Sequence, residues 1–260
     1  MPYRDDMPTL SEFDGIRYLH FGTKWVQGAM RISRPNQLVL DYTRQMMAWL
    51  LFADPQPTDT VGILGLGAGA LLKYTLAHTP AQVETVEWND EVTAICRAYF
   101  RLPDSPRSTI IHADAAEWVA QPANIGRCSA LLVDLYDADA QGPVRSSAQF
   151  YADCRRVLTS NGVLVVNLFG NHQSFPENID NLRQAFDKRL LQLPPTPAGN
   201  RIVFGFAPDA LQQTSGRLLE RAEHVAAHYR LPAVRWARSL LDRRLSVPLG
   251  SGQTGISLEA

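Results

Sequence analysis

The stretch ILGLGAGALL, residues 63–72, has three glycines between one apolar run and the next. Gly65, Gly67 and Gly69 lie where a buried strand would turn into a helix. Glycine at such a turn lets the backbone approach a ligand at the carboxyl end of a sheet. The segment therefore predicts a strand, a glycine turn and a helix, with a ligand site beside the turn.

The alternation of strand and helix continues along the chain. Apolar segments with strand character follow at residues 82–88, 108–113, 129–135, 162–170 and 200–207. Helical patterns lie between several of them, and a further amphipathic helix spans residues 218–229. Short apolar strands that alternate with helices predict an α/β fold, a mainly parallel sheet with helices on both faces.

The region before the glycine turn has a different pattern. Aromatic and polar residues alternate on both sides of Gly22, which predicts a short β-hairpin. Residues 36–52 space their apolar side chains at helical intervals, and Pro55 and Pro57 end that helix. We therefore predict an N-terminal hairpin and helix over residues 1–54, and an α/β domain with C-terminal helices over residues 55–260.

Composition and charge narrow the function classes. A formal net charge of −1 over 260 residues gives no reason to expect binding to nucleic acid or to an anionic membrane. The N-terminus has no secretory signal, and no apolar run is long enough to span a bilayer. The three cysteines form no metal-binding pattern, and the six histidines are scattered. These features predict a cytoplasmic protein without a metal site.

The acids that follow successive strands indicate a nucleoside site. Glu87 follows the second strand and could accept hydrogen bonds from both ribose hydroxyls, while Asp114 follows the third and could accept from an adenine amino group. Ala70 breaks the dinucleotide spacing, and no phosphate-binding lysine motif is present. The pattern thus favours S-adenosylmethionine or a relative over a phosphate-bearing cofactor. Trp88 either packs on the adenine or belongs to the core.

Two further acids, Asp134 and Asp137, follow the fourth strand within LLVDLYD, residues 131–137. A primary amine with a pKa near ~10.4 must lose a proton before it attacks a carbon atom, and a polyamine carries a second ammonium group. One acid could act as the base and the other as the partner of the distal ammonium. The alternative is an acidic loop that faces water.

The chain resembles the polyamine aminopropyltransferases, the spermidine synthase family, over residues 22–206. The matching motifs are VDLYD at the acid loop, QFYADCRRVLTSNGVLVVN after it, VEWND, HADA, and LVLDYTRQM before the sheet. The resemblance implies a methyltransferase-like (Rossmann-like) domain preceded by an N-terminal β-hairpin region. It also implies decarboxylated S-adenosylmethionine as co-substrate, a diamine or polyamine as acceptor, no metal, and a homodimer or other homo-oligomer.

The resemblance also implies roles for individual residues. Asp134 would be the general base and Asp137 the partner of the distal ammonium. Tyr42 and Gln27 would line the amine channel. Glu87 and Asp114 would hold the ribose and the adenine beside the glycine turn.

Four positions depart from the family pattern. Ala68 stands where the glycine loop of the family has an aspartate. In the family, that aspartate suits the bare amine of the decarboxylated cofactor. Thr43 follows the helix tyrosine, and Asn167 replaces a glutamine after the fifth strand. The late tyrosine motif becomes PPTPAG, residues 194–199, without its tyrosine. The nucleoside half of the pattern is thus retained, while the amine half has changed.

Three hypotheses follow from these residues. The first is an aminopropyltransferase. The second is an S-adenosylmethionine-dependent methyltransferase, which Ala68 favours because a barrier to the cofactor carboxylate is removed. The third is a non-catalytic protein that keeps a nucleoside pocket.

Overall fold

The computed structural model describes residues 7–136, 145–210 and 215–242. Within these ranges, three strands form an N-terminal sheet: β1 (Pro8–Phe13), β2 (Ile16–Phe21) and β3 (Gly28–Arg31). Seven strands form the large sheet: β4 (Thr60–Leu64), β5 (Gln82–Glu87), β6 (Ser108–His112), β7 (Cys128–Val133), β8 (Leu158–Phe169), β9 (Leu190–Gln192) and β10 (Asn200–Phe206). The α-helices are α1 (Asp41–Met46), α2 (Ala70–His78), α3 (Asp90–Tyr99), α4 (Ala115–Ala120), α5 (Ala148–Val157), α6 (Phe175–Ala185), α7 (Ser215–Tyr229) and α8 (Ala233–Leu241).

The large sheet has the strand order β6-β5-β4-β7-β8-β10-β9. Strands β4 to β8 are parallel, while β10 runs antiparallel to both of its neighbours. The chain order reverses between β4 and β7, which leaves a crevice at their carboxyl ends. The predicted α/β fold with a mainly parallel sheet is confirmed, and the switch point lies beside the glycine turn.

Two apolar layers cover the faces of this sheet. Ile63 and Leu132 belong to one layer, which packs against α1, α2, α3, α7 and α8. Leu64 and Leu131 belong to the other, which packs against α4, α5 and α6. Strands buried on both faces need nearly continuous apolar sequence, as in CSALLV of β7. Helices therefore lie on both faces, as predicted.

The N-terminal region holds one strand more than predicted. β2 and β3 form the predicted antiparallel hairpin, with Ile16 opposite Arg31. β1 pairs with β2 through a two-residue turn at Asp14 and Gly15, whose φ angles are 49° and 70°. An Asp-Gly pair with both φ angles positive is a strong hairpin signal, so this turn was readable from the sequence. The boundary at residue 54 stays a prediction.

The predicted helix over residues 36–52 is wrong in its extent. α1 begins only at Asp41, because Leu40 has an extended backbone, and a 3-10 helix spans Met47–Leu51. Every residue of that 3-10 segment is buried. An apolar run buried on all sides does not need the amphipathic spacing of a surface helix, so spacing alone could not define the bounds of this element.

Gly28, the first residue of β3, packs directly against the glycine turn. A Cβ atom added there would lie 2.6 Å from both the Cβ and the backbone nitrogen of Ala68. We expect Gly28→Ala to lower the free energy of unfolding by about 2 kcal/mol, because the backbone must move to relieve the overlap. Urea denaturation measures this loss.

Gly216→Ala is the matched control, because an added Cβ at that position in α7 meets nothing within 4 Å. Alanine is a better helix former than glycine, so this control should be equal to the wild type or slightly more stable. Equal urea midpoints for Gly28→Ala and the wild type would contradict the packing of β3 on the turn.

Candidate active site

A cavity of about 1120 Å³ opens at the carboxyl ends of the parallel strands. The β2–β3 connection and the start of α1 cover it from the N-terminal side, and the loop between β9 and β10 contributes a further wall. Eight of the residues that the sequence assigned to ligand binding line this cavity: Gln27, Tyr42, Gly65, Gly67, Glu87, Trp88, Asp114 and Asp134. Asp137 lies outside the described residues.

The glycine turn brings β4 and β7 together at the cavity. Gly65 has a φ of 93°, and a Cβ atom there would lie 2.3 Å from the backbone oxygen of Asp134. Only glycine allows both this conformation and this approach. Gly69 is the N-cap of α2 and does not line the cavity, so its predicted contact with a nucleoside stays a prediction. A Cβ atom there would lie 2.9 Å from Leu102, so the turn leaves little room for a side chain at this position.

Glu87 ends β5 and is held by the backbone around it. One carboxylate oxygen accepts a hydrogen bond from the backbone nitrogen of Leu66 at 3.0 Å, and the other accepts from Asn89 at 2.9 Å. Burial raises the pKa of Glu87, and these hydrogen bonds act against that rise. Each oxygen keeps a second lone pair, so the carboxylate can still accept from a pair of vicinal hydroxyl groups.

Trp88 lies beside Glu87 on the rim of the cavity. Its residue surface is 65% exposed, so it is not a core tryptophan. The sequence left two alternatives for Trp88, and the core alternative is wrong. An exposed indole at the mouth of a cavity offers a flat apolar face to a planar ligand.

Asp114 follows β6 and caps α4. One of its oxygens accepts from the backbone nitrogens of Ala116 and Glu117, at 2.7 and 3.3 Å. The other oxygen forms an ion pair with Arg145, and this hydrogen bond lowers the pKa of Asp114. The sequence predicted an acceptor for an adenine amino group at this position. It did not predict Arg145 as a partner.

Asp134 directly follows β7 and is the acid closest to the switch point of the sheet. Its Oδ1 atom accepts a hydrogen bond from Asn167 Nδ2 at 2.9 Å, and the hydroxyl of Tyr42 also donates to this carboxylate. Burial raises the pKa of Asp134 to about 6, although both hydrogen bonds favour the ionised form. The carboxylate is therefore mostly ionised at neutral pH and yet basic enough to accept a proton.

Several lining residues were not predicted from the sequence as part of the site. Tyr136 lies between the two acids of the VDLYD motif, and its hydroxyl donates to the backbone oxygen of Asn167 at 3.1 Å. Thr196, Pro197 and Ala198 come from the PPTPAG segment and form the wall where the family pattern has a tyrosine. The tyrosine inside VDLYD was the one sequence signal for an aromatic side chain next to Asp134.

The described residues contain neither a cluster of metal-ligand side chains nor a helix that could span a membrane. No three His, Cys, Asp or Glu side chains within them come together to hold a metal ion. None of their helices has the combined length and apolar character that crossing a bilayer requires.

Comparisons with known proteins place the chain in a family. No family model matches it. The chain is 34% identical to the polyamine aminopropyltransferase of Neisseria meningitidis serogroup A over 85% of this chain and 84% of the relative, and 32% identical to that of Chromobacterium violaceum over the same shares. Spermidine synthase from Thermotoga maritima superimposes with a TM-score of 0.63 at 16% identity, covering 92% of this chain and 84% of that one, a likeness of fold. The chain belongs to the polyamine aminopropyltransferase family.

Proposed function

We propose that this protein transfers the aminopropyl group of decarboxylated S-adenosylmethionine to a primary amine of a diamine or polyamine. The observation that carries the proposal is the Asp134 carboxylate, which faces the cavity between Tyr42 and Asn167 with a pKa of about 6. Membership of the polyamine aminopropyltransferase family supports the reaction class. The solved complex of a spermidine synthase with the transition-state analogue AdoDATO supports the kind of ligand.

The chemistry requires one proton transfer and one substitution. Asp134 accepts a proton from the substrate ammonium, which frees the nitrogen lone pair. The nitrogen attacks the propyl carbon next to the sulfonium, a carbon–nitrogen bond forms, and the carbon–sulfur bond breaks. The electrons of the broken bond go to sulfur, so the nucleoside leaves as a neutral thioether. The proton on Asp134 then passes to water.

We assign the nucleoside to the side of the cavity formed by the glycine turn, Glu87, Trp88 and Asp114. Glu87 would accept from the ribose hydroxyls, and Trp88 would stack on the base. Gly65 and Gly67 would let the backbone come close to the ligand. Asp114 keeps spare acceptor capacity beside its bond to Arg145, which suits an amino group of the base.

We assign the amine to the other side, beside Tyr42 and Gln27. The hydroxyl of Tyr42 donates to the Asp134 carboxylate, and Tyr42, Gln27 and Asp134 all line the cavity. Asp137, outside the described residues, remains our proposed partner of the distal ammonium.

Ala68 favours a second candidate, methyl transfer from ordinary S-adenosylmethionine. Its side chain is buried against Gly28 and does not line the cavity, so position 68 supplies no carboxylate for the amine of the decarboxylated form. The described lining nevertheless holds four acids, Asp41, Glu87, Asp114 and Asp134, against two cations, Lys24 and Arg145. A net negative lining disfavours the extra carboxylate of the ordinary cofactor.

Calorimetric titration with each cofactor separates the two candidates. The decarboxylated form is expected to bind about tenfold more tightly, because its tail carries a positive charge without a carboxylate. Tighter binding of ordinary S-adenosylmethionine would favour methyl transfer. Failure of both to bind at millimolar concentration would favour a non-catalytic protein.

The pH dependence of kcat/KM tests the role of Asp134 as a base. Because the base must be ionised, the rate should fall about tenfold for each pH unit below a midpoint near 6 and be nearly constant above it. The acceptor amine is an ammonium ion throughout this range. A rate that keeps rising tenfold for each pH unit between about pH 7 and pH 9 would contradict this role, because the amine would then enter already deprotonated.

We also propose a homo-oligomer in the cytoplasm. Met7, Leu10 and Phe13 of the N-terminal segment are exposed, which supports an association surface on that sheet. Light scattering after size exclusion tests the assembly, and a mass of one chain would contradict it.

A further inference from the structure

We infer that Asn167, Asn200 and Thr196 form a hydrogen-bonded relay that orients the Asp134 carboxylate and favours its ionised form. The three are positioning residues, because they act through Asp134. This inference rests on the proposed function in so far as Asp134 is the base. The relay itself, defined by these three side chains, is a property of the folded protein that can be measured without turnover.

The relay is continuous in the structure. Thr196 Oγ1 donates to Asn200 Oδ1 at 3.3 Å, and Asn200 Nδ2 donates to Asn167 Oδ1 at 3.0 Å. Asn167 Nδ2 then donates to Asp134 Oδ1 at 2.9 Å. A fourth bond, from the backbone nitrogen of Asn200 to Thr196 Oγ1 at 3.1 Å, fixes the far end.

The charge on Asp134 determines the direction of every bond in the relay. An ionised carboxylate only accepts, so the NH₂ group of Asn167 must face it and the carbonyl must face away. That carbonyl then requires the NH₂ group of Asn200, whose own carbonyl is left to accept from Thr196. All three donors therefore point toward the carboxylate, and aligned hydrogen bonds of this kind strengthen one another.

The location of Asn167 argues that the amide serves the site. It interrupts an apolar run on β8, and its residue surface is 2% exposed. A buried amide destabilises a strand unless its polar atoms find partners. The two side-chain partners of Asn167 are Asp134 and Asn200, which both line the cavity. Without the carboxylate, an apolar residue would suit this position better.

The fold brings the members of the relay together across the sheet. β8 and β10 are antiparallel neighbours, with Asn167 opposite Ile202 and Asn200 opposite Phe169. Thr196 belongs to the segment that replaces the tyrosine motif of the family pattern. The segment that would otherwise offer an aromatic wall is thus linked to Asp134 through the side chains of Asn200 and Asn167.

One of the ionisable groups around Asp134, Tyr136, also contacts the relay through the Asn200 side chain. Tyr42 from α1 donates to Asp134, and Tyr136 from the same loop interacts with it electrostatically. The other ionisable residues that line the cavity in the described part of the chain are Lys24, Asp41, Glu87, His112, Asp114 and Arg145. The relay variants replace none of these groups, but Asn200→Ala also removes a side-chain hydrogen bond to Tyr136.

Asn167→Leu removes the last donor of the relay while keeping the branching and the number of heavy atoms of the side chain. The pKa of Asp134 should rise by about one pH unit, because a hydrogen bond that stabilises the ionised form is lost. The midpoint of the acid limb of kcat/KM should rise by the same amount. Asn200→Ala and Thr196→Val leave Asn167 in place, so they should shift both values in the same direction by a few tenths of a pH unit, in decreasing order.

Asn178→Leu is the matched control. Asn178 on α6 is also a buried asparagine, 1% exposed, and its side chain accepts from Tyr151 and donates to Ser174. Its loss should lower stability without changing the pKa of Asp134. Asn167→Gln keeps a donor and should restore much of the wild-type value.

Carbon-13 NMR titration of the aspartate carboxyl groups, with the Asp134→Asn spectrum for assignment, measures the pKa directly. A rise in Asn167→Leu and a smaller rise in Asn200→Ala support the relay. An unchanged pKa in these variants would overturn it. If Asn167→Leu does not fold, Asn200→Ala and Thr196→Val decide together, because Thr196→Val keeps the Asn200 side chain that contacts Tyr136. The titration needs no turnover, so a wrong assignment of the base would appear separately, as normal activity in Asp134→Asn.

Discussion

Asp134→Asn is expected to lower kcat for aminopropyl transfer by about a thousandfold, the range that loss of a general base produces. Asparagine keeps the shape of the side chain and can still accept from Asn167. It cannot take a proton from the ammonium substrate. Because burial raises the pKa of Asp134, the neutral amide should also fold without a stability penalty.

Steady-state kinetics with a diamine acceptor measures this loss, and calorimetry measures the affinity for the nucleoside cofactor. That affinity should change by less than about threefold, since the base faces the amine. Asp153→Asn is the control, because Asp153 lies on α5, pairs with Arg156 and does not line the cavity. Normal turnover by Asp134→Asn would remove Asp134 from the mechanism.

Glu87→Gln should weaken cofactor binding by about a hundredfold while changing kcat much less. The ribose hydroxyls would donate to a carboxylate that its own backbone already orients, and each such charge-assisted bond contributes about 1.5–3 kcal/mol. The glutamine amide offers one acceptor oxygen in place of two. One of the backbone donors, Leu66 or Asn89, would also lose its acceptor.

Glu84→Gln provides a control on the same strand. Glu84 is paired with Arg127 and does not line the cavity, so its replacement should leave cofactor affinity unchanged. Calorimetric titration of both variants measures the contrast. Equal affinities for Glu87→Gln and Glu84→Gln would contradict a ribose contact at Glu87.

The fold, and the meeting of Glu87, Asp114 and Asp134 at one cavity, were readable from the sequence because both depend on local patterns. Parallel strands carry their carboxyl ends to the same edge, so acids that follow successive apolar runs must meet there. Glu87, Asp114 and Asp134 obey this rule, and the glycine turn signals close backbone approach. Tyr42 and Gln27 could be assigned to the site only through the family resemblance, because hydrophobic periodicity does not predict where the N-terminal region packs on the large sheet.

The parts that the sequence did not predict depend on long-range pairing. Asn167 and Asn200 become neighbours only because β10 runs antiparallel to β8. The partnership of Arg145 with Asp114 joins residues on different elements. Gly69 has the same spacing as Gly65 and Gly67 in the turn, yet it does not line the cavity as they do. Spacing along the chain carries no information about such contacts.

A competition experiment between the two cofactors distinguishes aminopropyl transfer from methyl transfer. The protein is incubated with putrescine and equal amounts of decarboxylated and ordinary S-adenosylmethionine, and mass spectrometry identifies the amine product. We expect an amine extended by one aminopropyl group, released together with the thioether nucleoside in equal amount, and about a thousandfold slower formation of both by Asp134→Asn. A methylated amine, or an aminopropylated amine formed equally well by Asp134→Asn, would contradict this expectation.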